Sequence, residues 1–174
     1  MTAISHLTEA LEAYKPEIAE RFRIVIRTQF TAMFEELGPS FKGVYNHPRW
    51  CRVFKNTIRP LVKLHDADFR GFGGTYRIDE DRLEKAAKQY ADDVSAAWLS
   101  KIQAKLGELD SADVRSFGNC GFVITGTKAG KSISIEQHMI LNVSAKGTLF
   151  NQFPARIYLE SKFISEAKFK KLAA

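Results

Sequence analysis

Residues 126–132, GTKAGKS, have the residue types of a phosphate-binding loop. A Walker A loop has four residues between its glycines and lies between a strand and a helix, because the helix N-terminus binds the phosphate. Here only three residues separate Gly126 from Gly130, and the sequence that follows alternates as a strand does. We therefore predict a hairpin turn, in which Lys128 and Lys131 would contact a polyanion as point charges.

A second candidate for phosphate contact is the segment that begins at Pro48. At about 3.6 residues per turn its cationic side chains share one face of a helix, and its apolar side chains take the opposite face. The cations are Arg49, Arg52, Lys55, Arg59 and Lys63, and the apolar residues are Trp50, Val53, Phe54, Ile58 and Leu61. With few acids nearby, this face is predicted to follow a nucleic-acid backbone. The alternative is the solvated face of an amphipathic helix.

Residues 69–77, FRGFGGTYR, interleave aromatic rings with arginines. Glycine flexibility, rings and guanidinium groups suit stacking on bases. Aromatic residues and arginines are also common anchors of protein interfaces, and the rings would alternatively pack into the core. The candidates for nucleic-acid contact in this loop are Arg70, Phe72, Tyr76 and Arg77.

Potentially reactive side chains also occur near this loop. His65, Asp66 and Asp68 offer imidazole and oxygen ligands for a divalent metal, but further ligands at defined spacing are missing. The two aspartates are therefore interpreted as turn or cap residues. Cys51 with His47 or His65 would make a thiol and a base, but Cys51 falls on the apolar side of the helix and is predicted to be buried.

Glu136 and His138 lie two residues apart on the polar face of a predicted strand. They would exchange a proton with a substrate, but a surface hydrogen bond is the simpler interpretation. We therefore predict no catalytic residue, no metal site and no cofactor, and we favour binding over catalysis.

The overall charge agrees with an anionic partner. The net charge is +6 with a pI of about 9.3, and both flanks of the acidic segment 79–110 are basic. Such a balance favours nucleic acid, nucleotides or an acidic protein, and ordinary solubility charge is the alternative. Two cysteines make no disulfide framework, and the N-terminus has no signal-peptide pattern. No apolar run approaches the ~18 residues that span a bilayer. We expect a cytoplasmic protein without membrane association.

The N-terminal part of the chain is predicted to be helical. Apolar residues recur at helical spacing from Leu7, and Pro16 is predicted to break the helix or to begin a new one. The second helix should end near Leu37 because Gly38 and Pro39 follow. A third helix would run from Pro48 to about His65, kinked or divided by Pro60. The clearest helix spans residues 79–106, with acidic residues at its start.

From about Val114 the hydrophobic period changes to two, which indicates strands. Three strands are predicted, at GFVITG, at residues 133–143 and at FPARIYLE, followed by a short basic tail. The fold class is therefore α+β in a single domain, 1–174. Residues 1–110 are mainly helical, with the long central helix packed on a three-stranded antiparallel meander at 111–174. Pairing across a free edge of this sheet would give a homodimer.

About a third of the chain, ITGTKAGKSISIEQHMILNVSAKGTLFNQFPARIYLESKFISEAKFKKL, resembles the C-terminal part of small uncharacterised proteins encoded by tailed phages. The likeness is one of general texture, a helix-rich front half followed by a β meander, and it carries no catalytic motif. It implies expression in the cytoplasm of a host bacterium during infection. The first hypothesis is a non-enzymatic phage accessory protein that binds nucleic acid through the basic helix face and the glycine-rich loop. Two alternatives remain: a module that inhibits or scaffolds a host or virion protein, and a small nucleotide-binding or hydrolytic protein.

Overall fold

The structure, a computed structural model, combines helices with antiparallel sheet. It describes residues 3–68, 70, 73–106, 109–116, 121–138, 140–143, 149–152, 155–165, 167–168 and 171. The helical elements are α1 (Ala3–Leu37), a 3-10 turn (Val44–Asn46), α2 (Trp50–Val53), a π turn (Phe54–Ile58), a 3-10 turn (Arg59–Leu61) and α3 (Glu80–Leu106). The strands are β1 (Val62–His65), β2 (Thr75–Ile78), β3 (Ser111–Ser116), β4 (Gly121–Lys128), β5 (Lys131–His138), β6 (Ile140–Val143), β7 (Leu149–Gln152), β8 (Ala155–Leu159) and β9 (Lys162–Ile164).

The chain divides into two compact units. The first unit comprises Met1–Glu17, Ala91–Ile140 and Gln152–Ala174, and the second comprises Ile18–Tyr90 and Leu141–Asn151. Helices α1 and α3 each contribute residues to both units. The assignment of residues 1–174 to a single domain stays a prediction.

The largest sheet has five antiparallel strands in the order β3-β4-β5-β8-β9, so the prediction of a three-stranded meander is wrong. The three predicted strands are its central members, and β3 and β9 extend it on either side. Neither added strand shows the hydrophobic alternation on which the prediction relied, since β3 reads SADVRS and β9 has three residues. In addition, Ile140–Val143 is not a continuation of β5 but a separate strand that pairs with β7.

Helix α1 is continuous through Pro16, so the predicted break is wrong. A proline inside a helix costs roughly 3 kcal/mol because it removes one hydrogen bond and its ring clashes with the preceding turn. Large apolar side chains are buried on both sides of Pro16, and each contributes roughly 1.5–3 kcal/mol. These buried residues are Leu7, Leu11, Tyr14, Ile18 and Phe22. Their combined contribution exceeds the cost of the proline.

The helix predicted from Pro48 ends earlier than His65. Its last part, Val62–His65, is strand β1, which pairs antiparallel with β2 in the register Val62↔Ile78 to His65↔Thr75. Pro60 does not divide a longer helix; it lies in the 3-10 turn Arg59–Leu61, which is the last helical turn before β1. Strand β2 was missed because its four residues follow a glycine-rich loop.

The segment GTKAGKS forms the predicted hairpin. Strands β4 and β5 pair down to Lys128↔Lys131, and the two turn residues, Ala129 and Gly130, both have positive φ (48° and 73°). Positive φ at both positions defines the type I′ turn that suits a two-residue hairpin. A Cβ on Gly126 would overlap the carbonyl oxygen of Ser111, so glycine is required there for β3 to approach β4.

Within the described residues, no helix carries an apolar stretch long enough to span a membrane.

Candidate nucleic-acid interface

The segment from Arg49 to Lys63 separates its charged and apolar side chains as the sequence predicts. All five cations are exposed, and all five apolar residues assigned to the opposite face are buried. The separation holds although the segment changes from α to π to 3-10 geometry along its length. From Gly38 to His65 the chain has six Lys and Arg residues and no Asp or Glu. This stretch therefore has no acid of its own, although Glu36 and Asp79 from neighbouring elements contact His47 and Lys63.

A cluster of aromatic rings lies beneath these cations. Phe54 is fully buried at its centre, with ring centroids 5.7 Å from Phe41, 5.6 Å from Tyr45 and 5.4 Å from Tyr76. Phe41 and Tyr76 are stacked at 4.9 Å. Tyr45 is 46% exposed, although its ring packs edge-on against Phe54. The cluster therefore holds one ring at the surface while its other members are buried or half-buried.

One cation lies near each of the two tyrosines of this cluster. The Lys55 ammonium lies 5.5 Å from the centroid of the Tyr45 ring, within the range of a cation–π contact. Burial raises the pKa of the Tyr76 hydroxyl, nearby Tyr45 adds to the rise, and nearby Arg59 opposes it. The Tyr76 hydroxyl is therefore a neutral hydrogen-bond donor at physiological pH, close to Tyr45 and to Arg59.

Sequence reasoning missed Tyr45, which is the exposed ring of the cluster. It lies in a short 3-10 turn between Gly43, at φ 74°, and Pro48, where no hydrophobic period marks it. The one sequence feature that could have pointed to Tyr45 is its position within the stretch that contains no acid.

The loop residues predicted as contacts have different environments. Tyr76 is half-buried against Phe41, in line with the core-packing alternative, so its ring is less available to a base than that of Tyr45. Arg77 is exposed and lies 3.8 Å from the carboxylate of Asp66. Arg70 is also exposed. Its backbone N–H donates to Asp68 at 2.9 Å, which is the turn role expected of that aspartate. Phe72 lies outside the described residues.

Lys63 is bound within the fold. Its ammonium lies 2.7 Å from the carboxylate of Asp79, a buried residue immediately before α3. Arg82 also contacts this carboxylate, through Nε at 3.0 Å and through its backbone N–H at 3.3 Å. The hydrogen bond from Lys63 lowers the pKa of Asp79, with smaller contributions from Arg82. Lys63 thus ties β1 to the start of α3, and its contact with nucleic acid stays a prediction.

His47 caps α2 and is not oriented as a base for Cys51. Its Nδ1 accepts the backbone N–H groups of Arg49 and Trp50, both at 3.2 Å. Its Nε2 lies 3.1 Å from Glu36, which also accepts the indole N–H of Trp50 at 2.5 Å. The Arg49 guanidinium lies 4.1 Å from the centroid of the Trp50 ring. These contacts fix the start of the basic segment.

The hairpin lysines belong to the first unit and differ from each other. Lys131 is exposed, whereas Lys128 is only 7% exposed. Lys128 is therefore buried and does not project from the turn into solvent. Glu136 accepts a hydrogen bond from the Tyr158 hydroxyl at 3.5 Å. The side chain of His138 lies outside the described part of the chain. Among the described residues, no three His, Cys, Asp or Glu side chains are grouped to hold a metal ion.

Comparison with known proteins adds no relative. No protein family, no curated protein and no solved structure matches the chain. The resemblance to tailed-phage proteins therefore stays a prediction.

Proposed function

We propose that the protein binds single-stranded nucleic acid through its basic segment, which we define as residues 49–59, together with Tyr45. The observation that carries the proposal is the acid-free stretch in which every cation is exposed above a buried apolar side. Exposed Tyr45 beside Lys55 supplies the second element that single-strand binders use, an aromatic platform next to a charge.

The short helical turns favour a single strand over the reading of duplex DNA. A recognition helix enters the major groove with several side chains along its length. Here α2 has four residues and is followed by π and 3-10 turns. This geometry supports contact with phosphates and stacking on a base, which tolerate any sequence.

The expected salt dependence follows from the charges. Each phosphate neutralised on a single strand contributes roughly −0.7 to the slope of log K against log salt concentration. Three exposed cations, Arg52, Lys55 and Arg59, would therefore contribute about −2. Arg49 is excluded from this sum because it lies over Trp50, and Lys63 because it is paired with Asp79.

Fluorescence anisotropy with a labelled poly-dT or poly-U oligonucleotide, at a series of salt concentrations, tests the proposal. The triple variant Arg52→Ala, Lys55→Ala, Arg59→Ala should weaken binding at low salt and reduce the slope by about 2. A control with the same net charge replaces three exposed lysines outside the segment with alanine, and it should keep the wild-type slope. The control positions are Lys85, Lys162 and Lys168.

If the two triple variants lost affinity equally, net charge, and not this surface, would drive binding. No binding by the wild type at low salt would remove the proposal. If a protein from nuclease-treated bacterial lysate were then retained, the interaction-module alternative would be favoured. The resemblance to tailed-phage proteins supports a setting in the host cytoplasm, where free single strands arise during replication.

A further inference from the structure

Among the residues that the structure describes, strand β3 is an edge strand of the five-stranded sheet. Among the described residues it pairs only with β4, through six residues from Ser111 to Ser116. Edge strands are usually blunted by shortness, charged side chains (especially lysine), proline or a bulge, because their free backbone groups pair with other chains. The opposite edge strand, β9, has three residues and includes Lys162. Strand β3 contains no lysine, proline or glycine.

The hairpin turn determines which backbone groups of β3 face outward. In a two-residue hairpin the closing pair, here Lys128 and Lys131, is hydrogen-bonded, and such pairs alternate along a regular antiparallel ladder. Residue Thr125 of β4 therefore directs its backbone groups toward Asp113 of β3. By the same alternation, the N–H and C=O groups of Val114 point away from β4, toward the open edge.

The charges of β3 are complementary to a second copy of the same strand. Asp113 and Arg115 are exposed on one face, where Arg115 Nε contacts Asp113 at 2.9 Å. In an antiparallel pair with a two-fold axis at Val114, each Asp113 lies opposite the partner's Arg115. An axis at Asp113 or at Arg115 would instead place like charges opposite each other, which is destabilising.

We propose that the protein forms a homodimer in which the two β3 strands pair antiparallel about Val114, so that the sheets of two copies become continuous. The central pair exchanges the N–H and C=O groups of Val114, and two symmetric Asp113–Arg115 pairs flank it. Such an interface is isologous and closed, because the same strand serves both copies. It rests on the first unit and does not depend on nucleic-acid binding.

Sedimentation equilibrium over a range of protein concentrations, with nucleic acid removed, tests the proposal. Asp113→Arg places arginine opposite arginine twice, and Arg115→Asp places aspartate opposite aspartate twice. Each single variant should raise the dimer Kd about 30-fold, equal to about 2 kcal/mol, because two attractive pairs become repulsive. The double variant Asp113→Arg, Arg115→Asp restores both pairs and should return the Kd to near the wild-type value.

Two controls separate the strand pairing from general effects. Glu9→Arg makes the same charge change at an exposed position of α1 and should leave the Kd unchanged. Val114→Pro removes the outward N–H, a position where an edge strand tolerates proline, and should abolish the dimer while circular dichroism keeps the wild-type spectrum. A monomeric wild type at high concentration would overturn the proposal. So would a dimer that survives both single charge variants, or a double variant that stays dissociated.

Discussion

Phe54 is expected to carry much of the stability of the second unit, because a single ring joins three others. In Phe54→Leu the volume changes little, which by itself costs less than about 1.5 kcal/mol. The substitution also removes the ring pairs with Phe41, Tyr45 and Tyr76, each worth about 0.5–1.5 kcal/mol beyond burial. Since the three pairs share one ring, their energies do not add fully. We therefore expect a loss of about 2–3 kcal/mol in the free energy of unfolding.

Urea denaturation followed by circular dichroism measures this loss as a shift of the midpoint at constant m value. Tyr45→Leu is the matched control, because Tyr45 makes one ring pair with Phe54 and is already 46% exposed. It should cost less than about 1 kcal/mol of stability. Its affinity for single-stranded nucleic acid should fall roughly fivefold or more, because a stacked base contributes about 1–3 kcal/mol.

The two variants therefore separate stability from binding. A Phe54→Leu protein that loses less than about 1 kcal/mol would refute the view that the ring cluster supports this surface. If Tyr45→Leu bound nucleic acid as tightly as the wild type, Tyr45 would not be the stacking platform.

Two further predictions concern stability. Pro16→Ala should raise the free energy of unfolding by up to about 3 kcal/mol, because the helix around it is already continuous and regains a backbone hydrogen bond. If calorimetry showed a loss of stability instead, the proline would be favoured at this site. The pKa of Asp79 is lower in the folded state than its ordinary value of 3.8. Ionised Asp79 therefore stabilises the folded state above pH 3.8, and this stabilisation is lost as the pH falls through the lower folded-state pKa. The stability gap between wild type and Asp79→Asn should therefore narrow in acid unfolding measured below about pH 3.8, and a gap independent of pH would contradict the role of Lys63.

Strong hydrophobic periods made parts of this fold predictable. The helix predicted at 79–106 corresponds to α3, whose apolar side chains recur at helical spacing and are buried at Leu83, Ala87, Val94, Trp98 and Ile102. The predicted separation of exposed cations from buried apolar residues in the basic segment was also correct, although the segment is not a regular α-helix. Small changes in the number of residues per turn leave the two faces distinct.

Other features depend on tertiary contacts that no short pattern encodes. Strand β3 (SADVRS) carries little hydrophobic alternation, and β1 (VKLH) alternates over only four residues. Pairing with β4 and β2 defines them as strands. The edge-on contact of Tyr45 with Phe54 is one of these tertiary contacts. Pro16 was read as a local signal, but burial along the whole of α1 outweighs it.

Each unit is built from segments that are far apart in the sequence, which affects folding during synthesis. Residues Met1–Glu17 belong with segments that begin at Ala91, and the second unit takes its last segment from Leu141–Asn151. A ribosome adds about 5–20 residues per second, so the N-terminal residues are exposed for several seconds before their partners are made. The second unit is complete only after Asn151 has been added, and the first also includes Gln152–Ala174; translation must therefore pass Leu141 before either unit can be complete. We expect nascent chains stalled before that point to be protease-sensitive and to need protection by chaperones.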